Sequence, residues 1–158
     1  MSNKGTTKIL WGPITWSFFH TLAAKINDNF FKRNKWVVLQ LIQQICNHLP
    51  CPTCAQHATT YIKFTDPRKI NNKKDLQMFF YNFHNSVNKM SKKPEFPLQN
   101  LKMYNNFNLS VILHNFLIYY PKRYGAGLNM NPHSNQLERR RTAISVYNWF
   151  KKNMKFFI

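Results

Sequence analysis

The sequence predicts an all-α fold, in which a four-helix bundle over residues 1–97 precedes a basic helical C-terminal extension over residues 98–158. Glycine occurs only four times in 158 residues. Apolar residues recur mostly three or four positions apart, as on one face of a helix, and rarely alternate as in a strand. The breaks between the first four helical stretches are short, which favours helices packed as a bundle.

The first two helices are predicted from proline positions and apolar stripes. Pro13 follows Gly12 and fits the first turn of a helix, where its missing N–H costs nothing, so the first helix is expected from there to about Asn27. The second helix is expected from about Asn34. Pro50 ends it, because the ring removes a donor and restricts the preceding residue. Its buried stripe is Val38, Leu41, Ile42, Ile45 and Leu49.

The third and fourth helices follow from the next proline and from a polar loop. Cys51 is expected at the N-terminal edge of the third helix, with Pro52 in its first turn. Residues 66–68 end that helix and residues 71–74 form a loop. The fourth helix is expected to run from Asp75, a plausible N-cap, to Met90.

The extension contains two further helical stretches. Residues 107–120 predict an apolar helix, residues 121–136 are rich in Gly, Pro and Asn, and residues 137–157 predict a basic helix. The last helix is too apolar for a free tail, so we expect it to dock by its aromatic side and to leave the arginines of residues 139–141 outward. That aromatic side is expected to contain Ile144, Tyr147, Trp149 and Phe150.

Charge and cysteine content narrow the class of protein. The net charge of +18, from 23 Lys and Arg against five Asp and Glu, predicts attraction to polyanions or acidic surfaces. The charge is spread along the chain and no nucleic-acid-binding motif is present. Three cysteines exclude a secreted disulfide framework. No apolar run is long enough for a membrane span or resembles a secretory signal, so a cytoplasmic location is expected.

The pair Cys51 and Cys54 is the candidate catalytic centre. Neighbouring N–H groups and the dipole of a helix N-terminus lower the pKa of a thiol, so Cys51 is the better candidate for exchange with a partner thiol. Cys54, one turn inward, is expected to face the core. Cys46 lies on the apolar stripe of the preceding helix and is expected to be a free core cysteine.

A zinc site is the alternative interpretation of the same segment. His48, Cys51, Cys54 and His57 are ligand types that zinc accepts. Their close spacing across a helix start turns His48 away from the cysteines, and structural zinc sites usually take ligands from two separate segments. We therefore expect no metal here. A basic helical binding module without catalysis, zinc-stabilised or associated with nucleic acid, remains the alternative function.

Two aromatic and amide-rich segments flank the cysteine pair. Trp16 and His20 share one helix face, as do His84 and Asn88. Asn85 and Asn88 are costly to bury without hydrogen bonds, and the ring edges or ribose hydroxyls of a cofactor would supply them. Helix residues that simply face solvent are the alternative for any one of these positions.

Residues 12–96 resemble the Erv/ALR family of flavin-linked sulfhydryl oxidases. That family has three ordered motifs, Gly-x-x-x-Trp-x-x-x-His, Cys-x-x-Cys and His-Asn-x-Val-Asn. In this sequence they are Gly12, Trp16 and His20, then Cys51 and Cys54, then His84, Asn85, Val87 and Asn88, followed by Lys93, Pro94 and Phe96.

The resemblance implies a four-helix bundle that holds FAD, usually as a homodimer. It implies that Cys51 exchanges with a substrate dithiol, that Cys54 faces the flavin, and that electrons pass to O2 to give a disulfide and H2O2. The partners implied are thiol-containing proteins or a thioredoxin-like shuttle protein. The implied FAD-binding residues are Gly12, Thr15, Trp16, His20, His57, His84, Asn85, Val87, Asn88 and Lys93.

The sequence also departs from the family pattern. Many relatives have a further disulfide whose positions correspond to Tyr81 and Leu98 here. Aromatic packing by Tyr81 and the extra C-terminal helices are expected to replace it. Pro13 stands where an arginine is often found. There is no additional cysteine pair to act as a shuttle, so the thiol donor must be another protein. The basic charge and the extension are similar to the oxidases of large cytoplasmic DNA viruses.

Overall fold

A computed structural model describes residues 4–124 and 132–158, and it is all-α, as the sequence predicts. Four bundle helices are followed by a helical extension. A 3₁₀ segment, Leu98–Asn106, connects the two parts. No helix among these described residues is both long and apolar enough to cross a bilayer. The helices are α1 Lys4–Lys25, α2 Asp28–Asn47, α3 Pro52–Lys63, α4 Lys73–Met90, α5 Leu109–Tyr119 and α6 Pro132–Asn153.

Helix α1 begins before the predicted start at Gly12 and Pro13, which is therefore wrong. Pro13 lies inside the helix. Proline has a φ that suits a helix, and its missing N–H removes only one backbone hydrogen bond. The helix can therefore continue through Pro13. The hydroxyl of Thr15 donates to the carbonyl of Trp11 at 2.7 Å within this turn.

Asparagine residues begin both α2 and α4, and both predicted starts are corrected. Asn27 caps α2 by accepting from the N–H of Phe30, and the predicted start at Asn34 is instead a non-helical residue within the helix, with φ −118°. Asn72 caps α4, and Asp75 lies one turn inside it. Short polar side chains that accept from a free N–H at a helix start are the usual N-caps. The predicted starts lie later in the sequence than Asn27 and Asn72.

The hydrophobic core is continuous from the bundle into the extension. Phe18 of α1 stacks on Phe116 of α5 with ring centroids 4.4 Å apart and meets Phe150 of α6 at 5.8 Å. Phe19 stacks on Phe80 of α4 at 4.9 Å. The division at residue 97 therefore does not separate two cores, and as a functional boundary it stays a prediction.

Helix α6 docks by only part of the predicted side, because Phe150 is buried and Trp149 packs on the core, as predicted, but Ile144 and Tyr147 do not. Ala143, Val146 and Phe150 are buried, whereas Ile144 is 60% and Tyr147 51% exposed. The expectation for these last two residues is wrong, because the helix turns Ala143, Val146 and Phe150 towards the bundle instead. Residues 125–131 of the predicted Gly-, Pro- and Asn-rich stretch lie outside the described residues.

The arginines of α6 are also not all outward. Arg140 and Arg141 are exposed, but Arg139 is only 3% exposed and donates to the carbonyl of Lys122 at 3.0 Å. Its position on the helix is shared with Thr142 and Val146, which lie on the buried face.

The end of the chain packs against the junction of α1 and α2. The N–H of Asn27 donates to the carbonyl of Phe156 at 2.7 Å, and Ile26 forms an isolated antiparallel bridge with Phe157. The rings of Phe30 and Phe156 stack at 4.2 Å. The extension thus contacts the bundle at two places, through α5 and α6 and through its last residues.

We predict that Phe150→Ala lowers the free energy of unfolding by about 3–5 kcal/mol, because it opens a cavity between α1 and α6. Tyr147→Ala is the matched control on the same helix and should change it by less than about 0.5 kcal/mol. Urea unfolding followed by circular dichroism measures both. Equal effects of the two substitutions would contradict the docking face described here.

Candidate active site

The cysteine pair lies at the N-terminus of α3, as predicted. Cys51 and Cys54 form a disulfide with their Cα atoms 5.1 Å apart. Cys51 is the N-cap, and its sulfur accepts from the N–H of Cys54 at 3.3 Å. Pro52 occupies the first turn, where its missing donor is not needed. The pair therefore lies where a thiolate would be stabilised by a helix N-terminus.

Both sulfur-bearing residues are partly exposed. Cys51 and Cys54 are intermediate in burial, so neither is enclosed by the core, and the expectation that Cys54 faces the core stays a prediction. The hydroxyl of Thr53 lies 3.1 Å from the Cys51 sulfur. Cys46, in contrast, is fully buried in the core, and burial raises the pKa of its thiol well above the usual range.

A second group of side chains, which we name the Trp–His cluster, joins α1 to α4. It consists of Trp16, His20 and His84, with Phe96 and Tyr104 against them. The rings of Trp16 and His84 stack at 4.2 Å with an interplanar angle of 9°. His20 Nε2 and His84 Nδ1 are 2.9 Å apart and share one hydrogen bond. The structure thus brings together three residues that the sequence placed in two motifs.

Aromatic rings after α4 complete this cluster. Phe96 stacks on His20 at 5.2 Å and on His84 at 4.8 Å, and Tyr104 stacks on His20 at 4.8 Å. Sequence reasoning missed Tyr104, because it lies in the 3₁₀ segment and belongs to none of the three motifs. The one signal for Tyr104 in the sequence was that it is an aromatic residue within a short, largely polar segment.

Both histidines of the cluster are held neutral at pH 7. Burial, followed by the charge of His84, lowers the pKa of His20 to about 3. Burial, followed by the charge of Lys93, lowers the pKa of His84 to about 4. His20 Nδ1 is buried and has no hydrogen-bond partner among the residues that the structure describes. A buried polar atom of this kind is costly unless a bound group satisfies it.

Four of the residues predicted to bind the cofactor lie near the end of α4, and they are Asn85, Val87, Asn88 and Lys93. The Asn85 side chain accepts from the N–H of Phe96 at 2.7 Å and donates to its carbonyl at 3.2 Å. Asn85 therefore needs no cofactor to satisfy its amide, and it fixes the position of Phe96. The carbonyl of Asn88 accepts from the N–H of Lys93 at 2.8 Å, Val87 packs on the core, and Lys93 is exposed.

Helix α3 connects the cysteine pair with the Trp–His cluster. His57, three residues after Cys54, lies 3.4 Å from the Ser86 hydroxyl of α4 through Nε2. Tyr61 of α3 stacks on Phe83 at 4.8 Å, and Phe83 meets the ring of Trp16 at 5.1 Å. The predicted residue His57 is thus next to α4.

The remaining predicted positions lie on α1. Thr15 is buried and its hydroxyl already donates to the backbone. Gly12 is partly buried, and a Cβ added there would meet nothing within 4 Å. Packing within the chain therefore does not require glycine at this position. The assignment of all these residues to a cofactor stays a prediction.

The position of the family's further disulfide is occupied by an aromatic contact. The hydroxyl of Tyr81 donates to Glu95 at 3.3 Å, and its ring meets Phe96 at 6.4 Å. Leu98, the other position, is 51% exposed. Tyr81 thus contacts the chain segment after α4, and its replacement of the disulfide stays a prediction.

The zinc alternative concerns residues 48–57, which all lie in the part of the chain that the structure describes. No group of three or more His, Cys, Asp or Glu side chains is close enough there to hold a metal ion. His57 instead faces Ser86.

The model of the Erv1/Alr family matches residues 13–107. This range contains the Trp–His cluster and the cysteine pair, and covers more than half of the chain. The chain belongs to the Erv1/Alr family. Its C-terminal helices α5 and α6 lie beyond the matched range.

Similar proteins come from viruses and from plants. The putative FAD-linked sulfhydryl oxidase 096R of Invertebrate iridescent virus 3 is 40% identical over 87 residues, 54% of this chain and 59% of the relative. An FAD-linked sulfhydryl oxidase of African swine fever virus is 35% identical over 83 residues, 52% of this chain and 69% of the relative. The Arabidopsis thaliana protein named FAD-linked sulfhydryl oxidase ERV1 is 29% identical over 98 residues, 62% of this chain and 51% of the relative.

The Erv1/Alr chain described here therefore spans between about half and about two thirds of these relatives' lengths. No solved structure matches it significantly.

We predict that acid destabilises this protein through its two buried histidines. The folded-state pKa values of His20 and His84, about 3 and about 4, lie below the ordinary 6.5. The unfolded chain then binds more protons, so stability is complete above pH 6.5 and falls as the pH drops towards 4, by at most about 1.4 kcal/mol per pH unit for each histidine.

Urea unfolding between pH 5 and pH 7 tests this. His20→Gln should reduce the slope of stability against pH, and His114→Gln, at an exposed position of α5, is the matched control and should leave it unchanged. A slope that is the same in all three proteins would show that the buried histidines do not control acid stability.

Proposed function

We propose that this protein is a thiol oxidase that uses FAD to form disulfides in protein substrates. The observation that carries the proposal is the position of the Cys51–Cys54 disulfide, partly exposed at the N-terminus of α3, on the helix that packs against α4 beside the Trp–His cluster. Family membership and the names of the relatives support the same activity. Because the chain spans only part of the lengths of these relatives, its substrate and partners belong to the proposal.

The Trp–His cluster has the chemistry that a flavin nucleotide needs. Trp16, which is partly exposed, offers a flat indole face to fused rings. The unpartnered His20 Nδ1 can hydrogen-bond a heteroatom of the cofactor. Exposed Lys89 and Lys93, at and just after the end of α4, offer positive charge to a diphosphate. When bound, FAD would accept two electrons from the reduced cysteine pair and deliver them to O2, which gives H2O2.

The cysteine pair performs the exchange with substrate. A substrate thiolate attacks the Cys51 sulfur, the bond between Cys51 and Cys54 breaks, and Cys54 leaves as a thiolate. The second substrate thiol then attacks the mixed disulfide. The substrate is released with a disulfide, and the enzyme holds two thiols, so two electrons and two protons have moved to the enzyme. The helix N-terminus stabilises the Cys51 thiolate formed in the second step.

The charge state of the two histidines decides which hydrogen bonds the Trp–His cluster can form with a cofactor. Both imidazoles are neutral at pH 7, so each has one ring nitrogen that donates and one that accepts. The bond between His20 Nε2 and His84 Nδ1 uses one nitrogen of each ring. It therefore fixes the two rings relative to each other and leaves His20 Nδ1 without a partner among the described residues, so that a bound group can use it.

The substrate must come from another molecule. Cys46 is buried and the only other cysteines form the active pair, so the chain contains no second dithiol to relay electrons. We infer that a thiol-containing protein or a thioredoxin-like shuttle protein donates the electrons. The homodimer, the cytoplasmic location and contact of the basic surface with polyanions stay predictions.

We predict that Cys54→Ser abolishes oxidation of a model dithiol while FAD remains bound, because the disulfide is lost and the Trp–His cluster is untouched. Oxygen consumption and the flavin absorption spectrum measure the two properties. Cys46→Ala is the control and should keep activity within a few-fold. Turnover by Cys54→Ser, or a colourless wild-type protein, would contradict the proposed function, and the latter would favour a basic binding module.

We also predict that Trp16→Ala removes most of the bound FAD, because it removes the indole face that we propose holds the fused rings of the cofactor. Trp36→Ala is the matched control, since Trp36 is a 61% exposed tryptophan of α2. The flavin-to-protein absorbance ratio of the purified proteins gives the result. If both variants are equally yellow, the Trp–His cluster is not the FAD site.

A further inference from the structure

A groove on the surface of the extension lies far along the chain from the cysteine motif. Helices α5 and α6 and the turn after α5 line it, and its volume is about 380 Å³. We name it the α5–α6 groove. Its lining is mostly apolar. Two of its side chains are nevertheless well exposed to solvent, Ile144 by 60% and Tyr147 by 51%. Its residues are Leu117, Pro121, Arg140, Ala143, Ile144 and Tyr147.

The exposed side chains of α6 beside this groove form a regular stripe. Spacings of three and four residues alternate along it, which places all of its members on one helix face. The opposite face, with Val146 and Phe150, is already buried against the bundle. A stripe with this period is the surface on which a further helix packs. Its members are Leu137, Arg140, Ile144, Tyr147 and Lys151.

The composition of the groove indicates which partner fits. A contiguous apolar patch with a polar rim marks an interaction site, and Tyr and Arg are the residue types that contribute most to binding energy in such sites. Basic groups flank the apolar pair Ile144 and Tyr147 along the stripe, with Arg140 before it and Lys151 after it, and both are exposed.

Acidic groups do not balance that charge. Helix α5 has no acidic residue, and Glu138 of α6 is paired with Arg141 at 2.7 Å. A partner with carboxylates around an apolar strip is therefore complementary. A second copy of this chain, with net charge +18, would add repulsion. Nucleic acid is also disfavoured, because phosphates gain nothing from the apolar centre of the groove.

We propose that the α5–α6 groove binds an acidic amphipathic helix of a partner protein. The apolar side of that helix packs on Ile144 and Tyr147, and its carboxylates pair with Arg140 and Lys151. This binding is separate from the redox chemistry of Cys51 and Cys54, and it gives the extension a role in recruiting a protein.

Three fluorescent helical peptides of equal length and identical leucine face test the proposal on the full chain. Their polar faces carry Glu, Gln or Lys. Fluorescence anisotropy should give the affinity order Glu, Gln, Lys, with at least about a tenfold difference between the first and the last. The double variant Ile144→Ser with Tyr147→Ser, and separately Arg140→Glu, should each weaken binding of the Glu peptide about tenfold or more.

Matched controls lie elsewhere on the surface. Trp36→Ser with Val37→Ser removes a comparable exposed apolar pair from α2, and Lys102→Glu reverses an exposed charge in the 3₁₀ segment. Both should bind the Glu peptide as the unaltered protein does. Dithiol oxidation should be unchanged in all these variants, which separates this proposal from the proposed function.

Several results would overturn the proposal. Absence of binding by the Glu peptide would do so, as would equal affinity for the Lys peptide or equal binding by the Ile144 and Tyr147 double variant. Displacement of the Glu peptide by polyglutamate at equal concentration would show attraction by charge alone. Loss of a dimer on sedimentation of the double variant would show that a second copy covers the groove instead.

Discussion

The burial of α1 on two sides is the constraint on which the other parts of this structure depend. Phe18 and Phe19 are adjacent in sequence and therefore about 100° apart around the helix, so they cannot face the same neighbour. Phe18 stacks on Phe116 of the extension and Phe19 stacks on Phe80 of the bundle. Trp16 and His20 share the side that reaches α4. One helix thus holds both the candidate cofactor site and the C-terminal helices in position.

The two parts of the candidate active site have opposite relations to solvent. His20 is only 2% exposed, and burial lowers its pKa and that of His84 enough to keep both rings neutral. Cys51 and Cys54 remain partly exposed at a helix N-terminus. A ring-binding cavity needs exclusion of water, whereas exchange with the thiols of a protein needs access. Helix α3 satisfies both needs, because its N-terminus is open and its middle packs on α4 through Tyr61.

The excess of basic residues shapes the surface and one part of the interior. All five carboxylates have contacts away from Arg139, with Asp28, Asp66 and Glu138 in ion pairs, Asp75 accepting from a backbone N–H and Glu95 from a tyrosine. Arg139 is nevertheless buried, donates to a backbone carbonyl and keeps Nε without a partner. Elsewhere lysines lie over aromatic rings, as Lys122 does over Tyr119. Five carboxylates do not balance 23 Lys and Arg, so most of the positive charge has no acidic counterpart in the chain.

The local signals of this sequence were sufficient for the fold class and for the position of the cysteine pair at a helix N-terminus. Helical periodicity, Pro52 in a first turn and the spacing of Cys51 and Cys54 act over a few residues, and the structure confirms the all-α fold and the disulfide at a helix N-terminus. The ordered motifs also indicated that Trp16, His20 and His84 belong together, because a family resemblance carries spatial information that composition lacks.

Tertiary packing decided what local signals could not. The stacking of Tyr104 on His20, the use of the Asn85 amide by the Phe96 backbone, and the choice of Val146 over Tyr147 for the buried face of α6 all depend on neighbours distant in sequence. An amphipathic helix with apolar residues on two sides has no local preference for either. The shape of the surface that it meets, here the rings of Phe18 and Phe116, determines which side is buried.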